Sequence, residues 1–130
     1  MDVWTAVLWV GKLVFCGFFF MSGLKHFTRL KDVVAYGRSR QLPLPELLVP
    51  LSGLMLTAGP VMILLSWHAL WGFAMLALFL IAAAFLIHKY WVETDPMQRG
   101  NQRNHFGKNL ALGAACLLLA FAVHRSGVPL

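Results

Sequence analysis

Ala69-Leu70-Trp71-Gly72-Phe73-Ala74-Met75-Leu76-Ala77-Leu78-Phe79-Leu80-Ile81-Ala82-Ala83-Ala84-Phe85-Leu86-Ile87-His88 runs for twenty residues without an acid, a lysine or an arginine. At ~1.5 Å per residue a helix of this length covers ~30 Å, the hydrocarbon thickness of a bilayer. Three more apolar runs lie over residues 3–24, 44–65 and 106–123. None alternates with a period of two, so they read as helices and not as barrel strands. Together they predict an all-α, integral membrane four-helix bundle, a single domain over residues 1–130. The composition agrees. The chain is 59% hydrophobic and 12% charged, where a soluble domain carries about 25% charged residues. Disorder is excluded, and an ordinary soluble enzyme is not expected. The first run begins Met1-Asp2-Val3-Trp4, with no basic start, and is read as a span and not as a signal peptide.

The basic residues set the expected orientation. Lys25, Arg29, Lys31, Arg38 and Arg40 lie between the first two runs, and Lys89, Arg99, Arg103 and Lys108 between the last two. Ser66-Trp67-His68 carries none, and the tail carries only Arg125. Lys and Arg favour the cytoplasmic side, so both basic segments are expected there, with both termini outside, in a bacterial cytoplasmic membrane. Because these charges sit between apolar runs and not along a stripe, a nucleic-acid partner is not expected; the bilayer is. Phe27, Leu30, Val33 and Val34 recur at helical spacing and predict a short amphipathic helix within residues 27–40, ended by Pro43 and Pro45. Residues 93–104 are polar, hold Pro96 and Gly100, and read as an exposed hairpin.

Membrane helices associate through small and polar residues. Such stripes are Thr5, Trp9, Lys12, Cys16, Phe19, Gly23 and His26; then Glu46, Pro50, Gly53, Thr57 and Pro60; then Ala74, Ala77, Ile81, Ala84 and His88; and last His105, Asn109, Leu112 and Cys116. Gly107, Ala111 and Ala115 form a further small-residue ridge. The stripes bring Lys25, His26, Glu46, His88, His105, Lys108 and Asn109 to one level near the cytoplasmic face, as a candidate proton-transfer or ligand-binding cluster. No zinc or CxxC spacing and no ExxH pair is present, so no metal site is expected. Lys12, near mid-helix, must snorkel or find a partner. Cys16 and Cys116 fall at similar depth and are read as inert thiols.

His105-Phe106-Gly107-Lys108-Asn109-Leu110-Ala111-Leu112-Gly113 resembles the fourth-helix signature of the DoxX family of small four-helix membrane proteins. Ser22-Gly23-Leu24-Lys25-His26-Phe27 resembles the family's first-helix end, and His88-Lys89-Tyr90-Trp91 its third. The resemblance implies a four-helix membrane domain and marks Lys25, His88, Lys108 and Asn109. It also implies a subunit of a quinone-linked or thiol/sulfur redox system, with quinone as a ligand and no covalently bound cofactor. In that expectation Tyr90, Trp91 and Phe106 stack on the ring, His88, Glu46 and His105 carry protons, and Lys25 and Lys108 stabilise an anionic head. Electrons require a partner subunit carrying the redox centre, since no haem or iron–sulfur ligation pattern is present. The alternative is a non-catalytic scaffold, assembly factor or accessory subunit.

Overall fold

The computed structural model describes residues 1–127 and consists of helices α1 (Val3–Thr28), α2 (Leu30–Ser39), α3 (Pro45–Leu64), α4 (Ala69–Leu86) and α5 (Pro96–Ser126), with a 3₁₀ turn at Tyr90–Val92. Among the described residues there is no strand. Four of the helices are long and apolar enough to cross a membrane.

Local chemistry explains the boundaries. Asp2 caps α1, its carboxylate accepting from the Thr5 backbone N–H and hydroxyl, each at 2.9 Å. These bonds hold the Asp2 carboxyl below the usual carboxylate range. Arg29 ends α1 and begins α2, so the surface helix follows after a one-residue break. Pro45 opens α3 at a position where a missing N–H does no harm. The α3–α4 turn is tight because Ser66 and His68 both take positive φ, 53° and 52°.

One boundary corrects the sequence expectation. The segment read as a hairpin over residues 93–104 is helical from Pro96, so α5 has 31 residues where the apolar run has far fewer. Asp95 accepts from the Gln98 N–H at 2.9 Å and Pro96 sits in the first turn, a strong start signal. At ~1.5 Å per residue α5 is ~46 Å long, longer than ~30 Å of hydrocarbon, and its polar first turns extend beyond the membrane.

The helices pack in chain order as antiparallel neighbours: α1 on α3, α3 on α4, α4 on α5. Phe15 of α1 also reaches Phe73 of α4, with ring centroids 6.1 Å apart. The core joins Cys16, Phe19, Leu56, Ile63, Phe73, Leu76, Leu80 and Cys116; both cysteines are free thiols. The first-helix stripe is legible in burial, with Lys12, Cys16, Phe19 and Gly23 all buried. The Gly107–Ala111–Ala115 ridge is not a packing surface. Gly107 and Ala111 are exposed, and a Cβ on Gly107 would meet nothing within 4 Å.

Glycines set the closest approaches. A Cβ on Gly23 would lie 2.8 Å from Leu56 Cβ, and one on Gly53 would lie 2.8 Å from His26 Cβ. The same antiparallel register carries Lys12 to the α3–α4 turn, where its ammonium donates to Ser66 Oγ at 2.9 Å and lies 5.1 Å from the Trp9 ring. The Lys12 side chain thus finds its partner at the turn end of the bundle.

Candidate functional site

Near the Ser66–His68 turn, α3 and α4 touch backbone to backbone at Gly59 and Gly72. Toward the other end they part. A cavity of about 400 Å³ fills the space between Leu48, Ser52 and Met55 of α3 and Phe79, Ala83 and Ile87 of α4. The loop-one helix α2 closes its end with Val33, Tyr36 and Gly37. The walls are mostly apolar. Leu51, Leu78 and Leu86 line the cavity and are also exposed on the outer surface, so it opens sideways, toward lipid.

Polar groups enter from two sides. On the α1–α3 side, His26 Nδ1 lies 2.8 Å from Ser52 Oγ and 3.3 Å from the Val49 carbonyl. Gly53 makes this possible, because a side chain there would strike His26 and Phe27. On the α4–α5 side, α4 unwinds after Leu86, and the N–H groups of Ile87 and His88 both bond the Ala83 carbonyl. His88 is thereby brought against α5. Its Nδ1 lies 2.9 Å from Gln102 Oε1, and its ring stacks on His105 at 5.1 Å. Asn109 is 8% exposed and lines the cavity. Its amide has no hydrogen-bond partner among the described residues.

Around this site lies a charged rim. Arg40, at the end of α2, donates through Nε to the Ile87 carbonyl at 2.8 Å and through Nη1 to Glu93. It thereby satisfies a carbonyl that the end of α4 leaves open and ties α2 across the cavity end. Its Nη2 is buried without an acceptor. Lys108 Nζ is 3.5 Å from His105 Nδ1, and both side chains are exposed.

The structure thus divides the expected cluster. His26, His88 and Asn109 line one cavity, and His105 and Lys108 stand beside His88. Lys25 is exposed and lies outside it. Glu46 is also outside, its side chain 63% exposed and paired with Arg38; the first turn of α3 faces the α2 surface and not the bundle interior. Tyr90, Trp91 and Phe106 do not line the cavity. They pack on one another with centroids 5.3–5.9 Å apart, and Phe106 packs on Phe85. The ring surfaces in the cavity belong to Phe79 and Tyr36, which the sequence did not mark. Ser52, Gln102, Arg40 and Glu93 were also missed; Ser52, one of two hydroxyls in an apolar run, is the one with a readable signal. Among the described residues no group of three His, Cys, Asp or Glu side chains could hold a metal ion.

These features define an integral, multi-pass membrane protein whose four long helices contact lipid. A family model described as DoxX matches residues 7–89, more than half of the chain. The protein belongs to the DoxX family, which is made of small membrane proteins. The match runs from within α1 to just past the end of α4 and stops at Lys89, so the His105–Gly113 likeness lies beyond it. No curated protein and no solved structure matches the chain.

Proposed function

We propose that the protein is the membrane subunit of a quinone-linked redox system and that the cavity between α3 and α4 is its quinone site. The observation that carries this is an apolar cavity of about 400 Å³ opening toward lipid, with His26 and His88 in its walls. An isoprenoid tail enters between Leu51 and Leu78, and the ring comes to rest among Phe79, Tyr36 and the histidines. Aromatic contact and burial supply affinity; the imidazoles supply groups that can give and take protons. Electrons pass to or from a partner subunit carrying the redox centre, and the helical extension of α5 outside the membrane offers that partner a place to dock. The Lys and Arg distribution supports a cytoplasmic position for the α2 end in a bacterial inner membrane. Labelling of a Ser39→Cys variant in intact cells tests this, and reaction with an impermeant thiol reagent from outside reverses it.

Photolabelling tests the site. An azido-quinone irradiated with the protein in lipid nanodiscs is expected to label the segments around Ser52–Met55 and Phe79–His88. Labels spread evenly over lipid-facing residues such as Val14 and Leu118 favour the scaffold reading.

A further inference from the structure

We infer that the cavity selects the reduced, dihydroxy form of its ring ligand over the oxidised quinone, because both histidines in its walls present hydrogen-bond acceptors. The inference rests on the cavity being a quinone site and adds which redox form it holds.

Each ring's Nδ1 is committed to a protein acceptor. The Ser52 hydroxyl donates to the Val49 carbonyl at 2.7 Å. Its oxygen is therefore left to accept from His26 Nδ1–H at 2.8 Å, and the Val49 carbonyl, 3.3 Å from the same nitrogen, can only accept. His88 Nδ1 faces the oxygen of the Gln102 amide at 2.9 Å, which again requires Nδ1 to donate. A neutral imidazole carries one N–H. With Nδ1–H used on the protein, Nε2 of each ring carries a lone pair, and neither Nε2 has a hydrogen-bond partner among the described residues.

Both rings line the cavity, one from the α1–α3 side and one from the α4–α5 side. A quinone offers two carbonyl oxygens, which only accept, and two lone pairs would face them. A quinol offers two hydroxyls on opposite sides of a ring, and each donates to one imidazole. The third polar group agrees with a ligand of this kind. Asn109, 8% exposed and lining the cavity, carries an amide that both donates and accepts and so can hold a ligand oxygen in either redox form. Ser52 and Gln102 act as positioning residues, fixing which nitrogen of each imidazole is protonated, as outer hydrogen bonds to histidine commonly do.

The test compares decylubiquinol with decylubiquinone, bound under anaerobic conditions to the protein in phosphatidylcholine nanodiscs and corrected for uptake by empty nanodiscs. The quinol is expected to bind about thirtyfold more tightly, the order expected of two hydrogen bonds. Gln102→Leu frees the His88 tautomer and is expected to reduce the preference to about fivefold, a ratio that a purely structural role of Gln102 does not move. Nitrogen NMR of histidine-labelled wild-type protein reads the tautomers directly, with Nδ1–H expected on His26 and His88. Equal affinities, a tighter quinone, an unchanged preference in Gln102→Leu, or Nε2–H rings each overturn the inference while leaving the quinone site standing. Failure of both molecules to bind above empty nanodiscs overturns the inference and the quinone reading together.

Discussion

Gly72→Ala is expected to destabilise the protein by about 2 kcal/mol, near the middle of the range for overpacking a filled contact. A Cβ at Gly72 would lie 2.7 Å from the Gly59 carbonyl oxygen, 2.9 Å from Ile63 Cγ1 and 3.3 Å from Met62 Cβ. The nearest of these is backbone, which cannot swing aside as a side chain could. Relief requires α3 and α4 to separate along their length, and interior packing resists that. In a membrane the close contact matters more than its small apolar area suggests, since lipid tails compete equally for any leucine and close backbone approach is what favours the helix pair. Gly17→Ala is the control. A Cβ there would meet nothing within 4 Å, and replacing glycine in a helix with alanine is neutral to slightly stabilising. Unfolding in mixed SDS–detergent micelles separates the two variants. Equal resistance of Gly72→Ala and Gly17→Ala to SDS contradicts the packing described. The crossing has a functional consequence as well, because helices held together at Gly59 and Gly72 and parted at the other end leave the cavity open.

Much of the fold was legible in the sequence, for a physical reason. Burial of a membrane span is written in hydropathy, and Ala69–His88 declares itself without any neighbour. The inward face of α1 was also readable, because lipid tolerates Lys12, Cys16 and Gly23 less well than leucine, and those residues are buried. Periodicity names a face but not what the face meets. Glu46 begins the α3 stripe, yet pairs with Arg38 on the α2 surface, because the stripe runs out of bundle at the helix end. Spacing places Lys12 near the middle of α1 and calls for a partner, but only the register of α1 on α3 names that partner as Ser66. Hydropathy also hid the start of α5, since a helix that continues into water loses its apolar signal while keeping its hydrogen bonds. The Asp95–Pro96 pair carried that information instead. Of the candidate site, His26, His88 and Asn109 were marked from their sequence. Their meeting with Ser52, Gln102 and Phe79 depends on distances between helices far apart in the chain, which spacing along one helix does not encode. The role of Arg40 was hidden similarly, because in a count of loop charges it is one of nine. Its bonds to Ile87 and Glu93 appear only when the end of α2 lies over the end of α4.

Joint replacement of His88 by Ala and Asn109 by Leu has the largest expected effect on function. Both side chains line the cavity, so on the proposed reading each replacement removes one hydrogen bond to the ring ligand. Losing two such bonds is worth about 2 kcal/mol, or roughly thirtyfold in Kd. The fold should tolerate the change. His88 lies beyond the last turn of α4, and leucine replaces an asparagine amide of similar size that has no partner to lose. Arg125 is exposed near the end of α5, far along that helix from Asn109, and Arg125→Ala is expected to bind as the wild type does. The measurement is the Kd for decylubiquinol of the wild type, the double variant and Arg125→Ala in matched phosphatidylcholine nanodiscs, with circular dichroism to verify the helices. The account predicts saturable binding that weakens roughly thirtyfold in the double variant alone; saturable binding of equal strength in all three proteins contradicts it.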